Sequence, residues 1–215
     1  MREGARLQCL VNPLAARELE FELPPAERAR SVFVVGGGPA GMESARLLAL
    51  RGHRVTLVER ERELGGQLRL AAKAPVFQNV ETEAPVLLKL VEFLARQLSK
   101  AGVDVRLARR VTAELVQELR PEVVVLATGA SYRRPLGWII PRLLDARWAR
   151  TRMLKTLLTK RAAKRLFYSW LRRPNVGLER RLRALGLEVH RIGDCHWPGR
   201  TPEAMLEAAR LAYRL

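Results

Sequence analysis

The stretch that most constrains this chain is residues 31–59. A short apolar run, Ser31 to Val35 (SVFVV), meets Gly36-Gly37-Gly38-Pro39-Ala40-Gly41. A helical pattern follows and stops at Gly52, and Val55-Thr56-Leu57-Val58 then closes on Glu59. Continuous apolar runs of four or five residues bounded by turn residues read as strands buried on both faces of a parallel sheet. In strand, G-x-G-x-x-G, helix, strand, acid, each residue has its own task. Gly36 permits a tight turn out of the strand. Gly38 has no side chain, so a pyrophosphate can approach the backbone, and Gly41 lets the helix pack closely on the strand. The helix start at Pro39 and Ala40 offers unpaired N–H groups and the positive end of a dipole to phosphate. Glu59 lies 23 residues after Gly36, a spacing suited to a carboxylate that accepts ribose hydroxyls, with Arg60 beside it. A carboxylate there also disfavours a 2′-phosphate. The competing reading is a structural turn in an α/β protein that binds no nucleotide.

The rest of the chain continues the alternation. Leu64-Gly65-Gly66-Gln67-Leu68 opens a helix, Val86 to Ala101 reads as an amphipathic helix and Val103 to Leu107 as a strand. Thr112 to Leu119 is a short helix, and Val123 to Leu126 a buried strand running into Ala127-Thr128-Gly129-Ala130. Glu188 to Ile192 is a strand before Gly193-Asp194, and Glu203 to Leu215 a final helix. Strands alternating with helices imply an α/β, Rossmann-like fold with a largely parallel sheet. The expected organisation is a lead-in and partner-docking segment at 1–30, a nucleotide domain at 31–130 and 188–215, and a basic insert at 131–187. A length of 215 residues with 48% hydrophobic and 28% charged residues excludes a disordered or collagen-like chain. Two cysteines without C-x-x-C exclude a disulfide scaffold and a structural zinc site of the usual spacing. His53, His190 and His196 show no metal spacing, and no general acid or base stands out. Without a signal-peptide run or a spanning apolar stretch, a cytoplasmic setting is expected.

Four features, GGGPAG at 36–41, Gly65-Gly66-Gln67, Ala127-Thr128-Gly129 and Gly193-Asp194, together resemble the FAD domain of two-dinucleotide-domain flavoproteins. The resemblance implies that Asp194 bonds a ribityl hydroxyl of FAD and that Gly66, Gln67 and Leu68 run beside the flavin or its phosphates. It implies also that Thr128 and Gly129 pass near the pyrophosphate, that Val111 meets the adenine through its backbone, and that Ala204 joins the cofactor-binding set.

Both ends sharpen the match. Cys9-Leu10-Val11-Asn12-Pro13, the stretch from VVGGGPAGMESARLL to AAKAP, VVVLATGA, and RIGDCHWPGR resemble the C-terminal half of the dienoyl-CoA reductase / trimethylamine dehydrogenase family. Members carry an FMN barrel related to old yellow enzyme, an iron–sulfur cluster and then this dinucleotide-binding half. The expected reading is a chain without that barrel; Ser131 to Leu187 is too short for the family's NAD(P)H domain and lacks a second G-x-G-x-x-G. Cys9 stands where the family places its fourth cluster ligand, and one thiolate cannot hold a cluster. The resemblance therefore implies one of two things. The chain is an FAD subunit exchanging electrons with a separate FMN and iron–sulfur subunit, Cys9 being a shared ligand. Otherwise it is a non-catalytic accessory module holding FAD or ADP structurally. Cys9 can equally be an ordinary small apolar residue, and Cys195 reads as a packing residue rather than a redox thiol.

Charge adds one more constraint. The net charge is +17, yet Ser131 to Ile192 alone holds 17 basic residues against three acids, 17 − 3 = +14. From Arg142 to Arg173 the pattern reads as helical, with Trp148, Leu158, Phe167 and Trp170 among its apolar positions, and Pro174 ends it. Such a basic amphipathic segment can cover apolar surface or dock a subunit, lie on an anionic membrane surface, or dock an acidic electron carrier such as a ferredoxin. Nucleic acid is the least favoured partner, because nothing in the segment reads bases.

Overall fold

The computed structural model describes residues 9, 11–15, 23–73, 84–132, 172–174, 177–197 and 199–215. Its strands are β1 (Ser31–Val35), β2 (Arg54–Val58), β3 (Asp104–Arg106), β4 (Val123–Leu126), β5 (Ala130–Tyr132), β6 (Arg172–Pro174) and β7 (Glu188–Arg191). Its helices are α1 (Pro39–Leu50), α2 (Gln67–Lys73), α3 (Ala84–Lys100), α4 (Ala113–Leu119), α5 (Gly177–Ala184) and α6 (Thr201–Arg214). Five strands form a parallel sheet in the order β3-β2-β1-β4-β7. The chain leaves β1 for β2 on one side and returns to β4 on the other. The carboxyl ends of β1 and β4 therefore flank the switch in strand direction where open α/β sheets form their crevice.

The period of two along a strand explains both faces. Val32, Val34, Val123 and Val125 join one cluster with Leu47 and Leu48 of α1, Leu94 and Leu98 of α3, and Met205 and Ala208 of α6. Phe33, Val35, Val124, Leu126 and Val189 join the other with Val116 of α4 and Leu182 of α5. Because both faces are covered, Val32–Val35 of β1 and all of β4 are apolar, and their buried side chains contribute about 1.5–3 kcal/mol each. Ala204, Ala208, Ala209 and Ala212 give α6 a small-residue buried surface. Arg51, at the end of α1, is buried and donates from Nη1 to the carbonyls of Ala212 (2.8 Å) and Tyr213 (2.5 Å), which ties down the last turn of α6.

The amino ends of the strands carry a polar seam. The Arg30 N–H donates to His53 Nδ1 (3.1 Å), the Ser31 N–H to Glu122 Oε1 (3.2 Å), and Arg30 pairs with Glu188. This seam lies at the opposite end of the sheet from the glycine turn.

The expected elements form, with end shifts of one or two residues. The exception is the close of the basic pattern. Arg172 and Arg173 are not helical: with Pro174 they make β6, antiparallel to β5, with Tyr132 opposite Arg172 and Ala130 opposite Pro174. Pairing to the strand that follows Ala127-Thr128-Gly129 overrides a weak local preference, and proline is tolerated in an edge strand. The rest of that pattern, 142–171, lies outside the described residues. Among the described residues no helix is long and apolar enough to cross a membrane.

Candidate functional site

The site is built where β1 ends. Gly36 has φ +109°, and a Cβ there would lie 2.4 Å from the Ala127 carbonyl oxygen. The turn therefore needs glycine both for its conformation and for its closeness to the 127–129 segment. Gly41 packs its Cα against the Gly36 carbonyl, leaving 1.9 Å for a Cβ. Gly38 differs from both: no described atom lies within 4 Å of where its Cβ would stand. It is the N-cap of α1, Pro39 occupies the first turn, and the first intrahelical bond runs from the Met42 N–H to the Gly38 carbonyl (2.9 Å). The amides of Ala40 and Gly41 precede that bond and lack intrahelical acceptors. Open space over a glycine at a helix start, with aligned amides behind it, is a cradle for an anion.

Three further segments close on this turn. Glu59 leaves β2 buried, at 8% exposure, with Oε2 accepting the Gly37 N–H (2.6 Å) and Oε1 the Glu61 N–H (2.9 Å). Those two bonds fix the carboxylate beside the glycine turn and use only part of its acceptor capacity of about four sites. The Gly65 N–H donates to the Gly37 carbonyl (2.8 Å), and a Cβ on Gly66 would stand 3.1 Å from Gly38 Cα. Gly66, with Gln67 at the start of α2, thus forms a second wall. The Gln67 side chain reaches to 3.6 Å from the position of a Cβ on Gly129, joining this wall to the 127–129 segment.

Gly193 and Asp194 form the third wall. Gly193, in a 3-10 turn with Cys195, is held between helix starts, with a Cβ placed 2.9 Å from that of Ala40 and 3.4 Å from that of Ala204. Asp194 Oδ1 accepts the Gly199 N–H (2.9 Å). Thr128 Oγ1 donates to Cys195 Sγ (3.3 Å), and burial pushes the Cys195 thiol up, as expected of a packing residue.

The structure therefore brings Gly36, Gly38, Pro39, Ala40, Gly41, Glu59, Gly66, Gln67, Ala127, Thr128, Gly129, Gly193, Asp194 and Ala204 around one groove, while Leu68 is buried in the core cluster that holds Leu90 and Val91. Val111 is partly buried, packed against the cluster that holds Phe33, Val35 and Val58. Arg60 is not drawn in: its side chain is 69% exposed and pairs with Glu61 at 3.2 Å. Cys9 stands apart, partly buried. Its sulfur accepts the Asn12 N–H (3.4 Å), and that bond, with a second from Val11, draws its thiol down. Among the described residues no three His, Cys, Asp or Glu side chains cluster as metal ligands do.

Two contributors escape a motif reading. One is Gly37, whose amide orients Glu59. The other is Glu207 on α6, whose Oε2 accepts the Gly193 N–H (2.7 Å). Its position three residues after Ala204 puts it on a neighbouring part of the same helix face, and that spacing is the trace it leaves in the sequence.

The family described as FAD dependent oxidoreductase matches residues 31–197. An NADH oxidase of Thermoanaerobacter brockii is 41% identical over 129 residues, which is 60% of this chain and 19% of that protein. A cinnamate reductase of Clostridium sporogenes is 40% identical over 133 residues, 62% of this chain and 19% of that one. Among solved structures, a 2-naphthoyl-CoA reductase bound to 2-naphthoyl-CoA superposes with a TM-score of 0.76 over 97% of this chain and 43% of its own, at 20% identity. Histamine dehydrogenase from Rhizobium sp. 4-9 gives 0.70 over 97% and 45%, also at 20% identity. The two superpositions share the fold with this chain. The chain spans about a fifth of the curated relatives' length.

Proposed function

Because the chain belongs to the FAD-dependent oxidoreductase family, we propose that it binds FAD in the groove over Gly38 and serves as the FAD-bearing subunit of a larger oxidoreductase. Its electrons are exchanged with a partner carrying FMN, an iron–sulfur cluster or both. The observation that carries this reading is the open space at Gly38, walled by the α1 amides, Glu59, Gly66 with Gln67 at the start of α2, and the Gly193–Asp194 turn. The residues fit the two ends of the cofactor. Unpaired amides at Ala40 and Gly41 suit the diphosphate. The oriented Glu59 carboxylate suits the adenosine ribose hydroxyls, and Asp194 suits a hydroxyl of the ribityl chain.

Bound FAD supplies the redox chemistry, taking up and releasing electrons on its flavin ring. The chain's own residues do the rest. Glu59, fixed by the Gly37 and Glu61 amides, orients the adenosine end. Gln67, beside Gly129, borders the groove and limits water there. Thr128 anchors the turn next to the diphosphate through Cys195. Cys9 supplies one thiolate to a cluster whose other ligands lie on the partner, and its backbone N–H bonds favour the thiolate it would need. The basic segment docks that partner, an acidic electron carrier or an anionic membrane surface.

Isolation of the chain from its native cell with its partners, followed by flavin extraction and an iron assay, tests this. The reading predicts FAD in one assembly with FMN, iron or both. ADP without flavin, on a chain isolated alone, would contradict it and favour the non-catalytic accessory module.

A further inference from the structure

Glu207, on α6, grips the Gly193–Cys195 turn from outside it. Its Oε2 accepts the Gly193 N–H at 2.7 Å, and its Oε1 pairs with His196 Nδ1. One side chain on α6 thus holds the residue before Asp194 and the second residue after it. The turn is fastened within itself as well, since the His196 and Trp197 N–H groups both donate to the Gly193 carbonyl (2.8 and 2.9 Å) and Gly199 donates to Asp194. Glu207 ties this closed loop to α6 through hydrogen bonds, beside the packing of Gly193 on Ala204. Glu203, on the same helix, is occupied with the Arg200 N–H (3.1 Å) at the N-cap and does not share the task.

We propose that Glu207 is a positioning residue for the flavin half of the cofactor: it sets the Gly193–Asp194 turn at the height where Asp194 meets the ribityl chain. This rests on the reading that FAD occupies the groove. It adds that recognition of the flavin half depends on a residue outside the motif, whereas the adenosine half depends on the α1 amides and Glu59, which Glu207 does not touch. A merely structural Glu207 would affect both halves alike.

The test titrates the full chain, freed of cofactor, with FAD and separately with ADP, for wild type, Glu207→Ala and Glu207→Gln. Glu207→Ala removes both bonds and is expected to weaken FAD about tenfold, equivalent to about 1.4 kcal/mol, with ADP affinity unchanged. Glu207→Gln keeps an acceptor for the Gly193 N–H and is expected to restore FAD binding to within about threefold of wild type, the scale of one neutral hydrogen bond. Equal loss of FAD and ADP, or no loss of either, would overturn the assignment. If Glu207→Ala does not fold, Glu207→Leu, which also removes both bonds, carries the same comparison against Glu207→Gln. Wild type binding ADP but not FAD would fail at the first titration and would overturn the flavin reading itself, before any variant is compared.

Discussion

Gly38 and Gly41 belong to one motif, yet adding a methyl group to each should have opposite consequences. At Gly38 the backbone is extended (φ −74°, ψ 177°), which any residue adopts, and the new Cβ would meet no described atom within 4 Å. Two small effects oppose each other in Gly38→Ala. The unfolded chain loses freedom, which stabilises by about 0.4–1 kcal/mol, and an N-cap changed from glycine to alanine loses a similar amount. The cofactor-free protein should stay within about 1 kcal/mol of wild type, a melting shift of at most about 4 °C for a chain of this size. At Gly41 the Cβ would stand 1.9 Å from the Gly36 carbonyl oxygen, backbone against backbone. That clash cannot be relieved by a rotamer, so Gly41→Ala should cost about 3 kcal/mol or more and roughly 6–12 °C. Binding should order the two differently. The Gly38 methyl projects into the space kept for the diphosphate, so FAD affinity should fall about thirtyfold, equivalent to about 2 kcal/mol. Thermal denaturation of the cofactor-free variants beside calorimetric titration with FAD measures both quantities. The reasoning is refuted if Gly38→Ala melts as low as Gly41→Ala, or if it binds FAD as wild type does.

Other consequences can be checked in the same preparations. Glu43 is buried at 1% exposure and held by Arg46 through bonds of 2.8 and 2.7 Å, so Arg46→Ala should lose about 3 kcal/mol by stranding a buried carboxylate, read from urea denaturation. His53 is buried, and desolvation first, then Arg51 and Arg30, holds its imidazole below the ordinary 6.5. The unfolded chain therefore takes up a proton on falling through about pH 6.5 that the folded chain refuses. His53's contribution is complete above that pH and is lost as pH drops from there toward its lowered folded value; His53→Gln should flatten that part of a stability-versus-pH curve. Cys9, partly exposed with its thiol drawn down, should react with an aromatic disulfide reagent in the folded protein. Cys195, fully buried with its thiol pushed up, should react only on unfolding; equal rates would contradict the environments described.

What was legible in the residues follows from what each pattern depends on. Val32–Val35 and VVVL show themselves because strand residues covered on both faces leave no polar position to spare, and the Gly36 turn shows itself because a Cβ at Gly41 or Gly36 would stand 1.9 or 2.4 Å from a backbone oxygen. Helix α5 was harder to see: it buries little beyond Leu182 and its remaining surface is charged, so it merges into the basic segment around it. Strands β5 and β6 were invisible locally. Three residues each, they exist through pairing across 40 to 44 positions of sequence, and Arg172 and Arg173 carry no strand pattern of their own. Around the groove, the glycines and Glu59 could be named because their spacing is the spacing of the turn. Glu207 could not, since its partner lies 14 residues away and only the docking of α6 brings the two together. Arg60 illustrates the converse, a residue next to a site residue along the chain that faces solvent.

The central claim is tested most directly by a crystal structure of the full chain grown with FAD. The account predicts the diphosphate on the amides of Ala40 and Gly41, the adenosine ribose on Glu59, and the ribityl chain beside Asp194. Flavin density elsewhere on the molecule, or a groove over Gly38 closed by the protein's own atoms at saturating FAD, would contradict it.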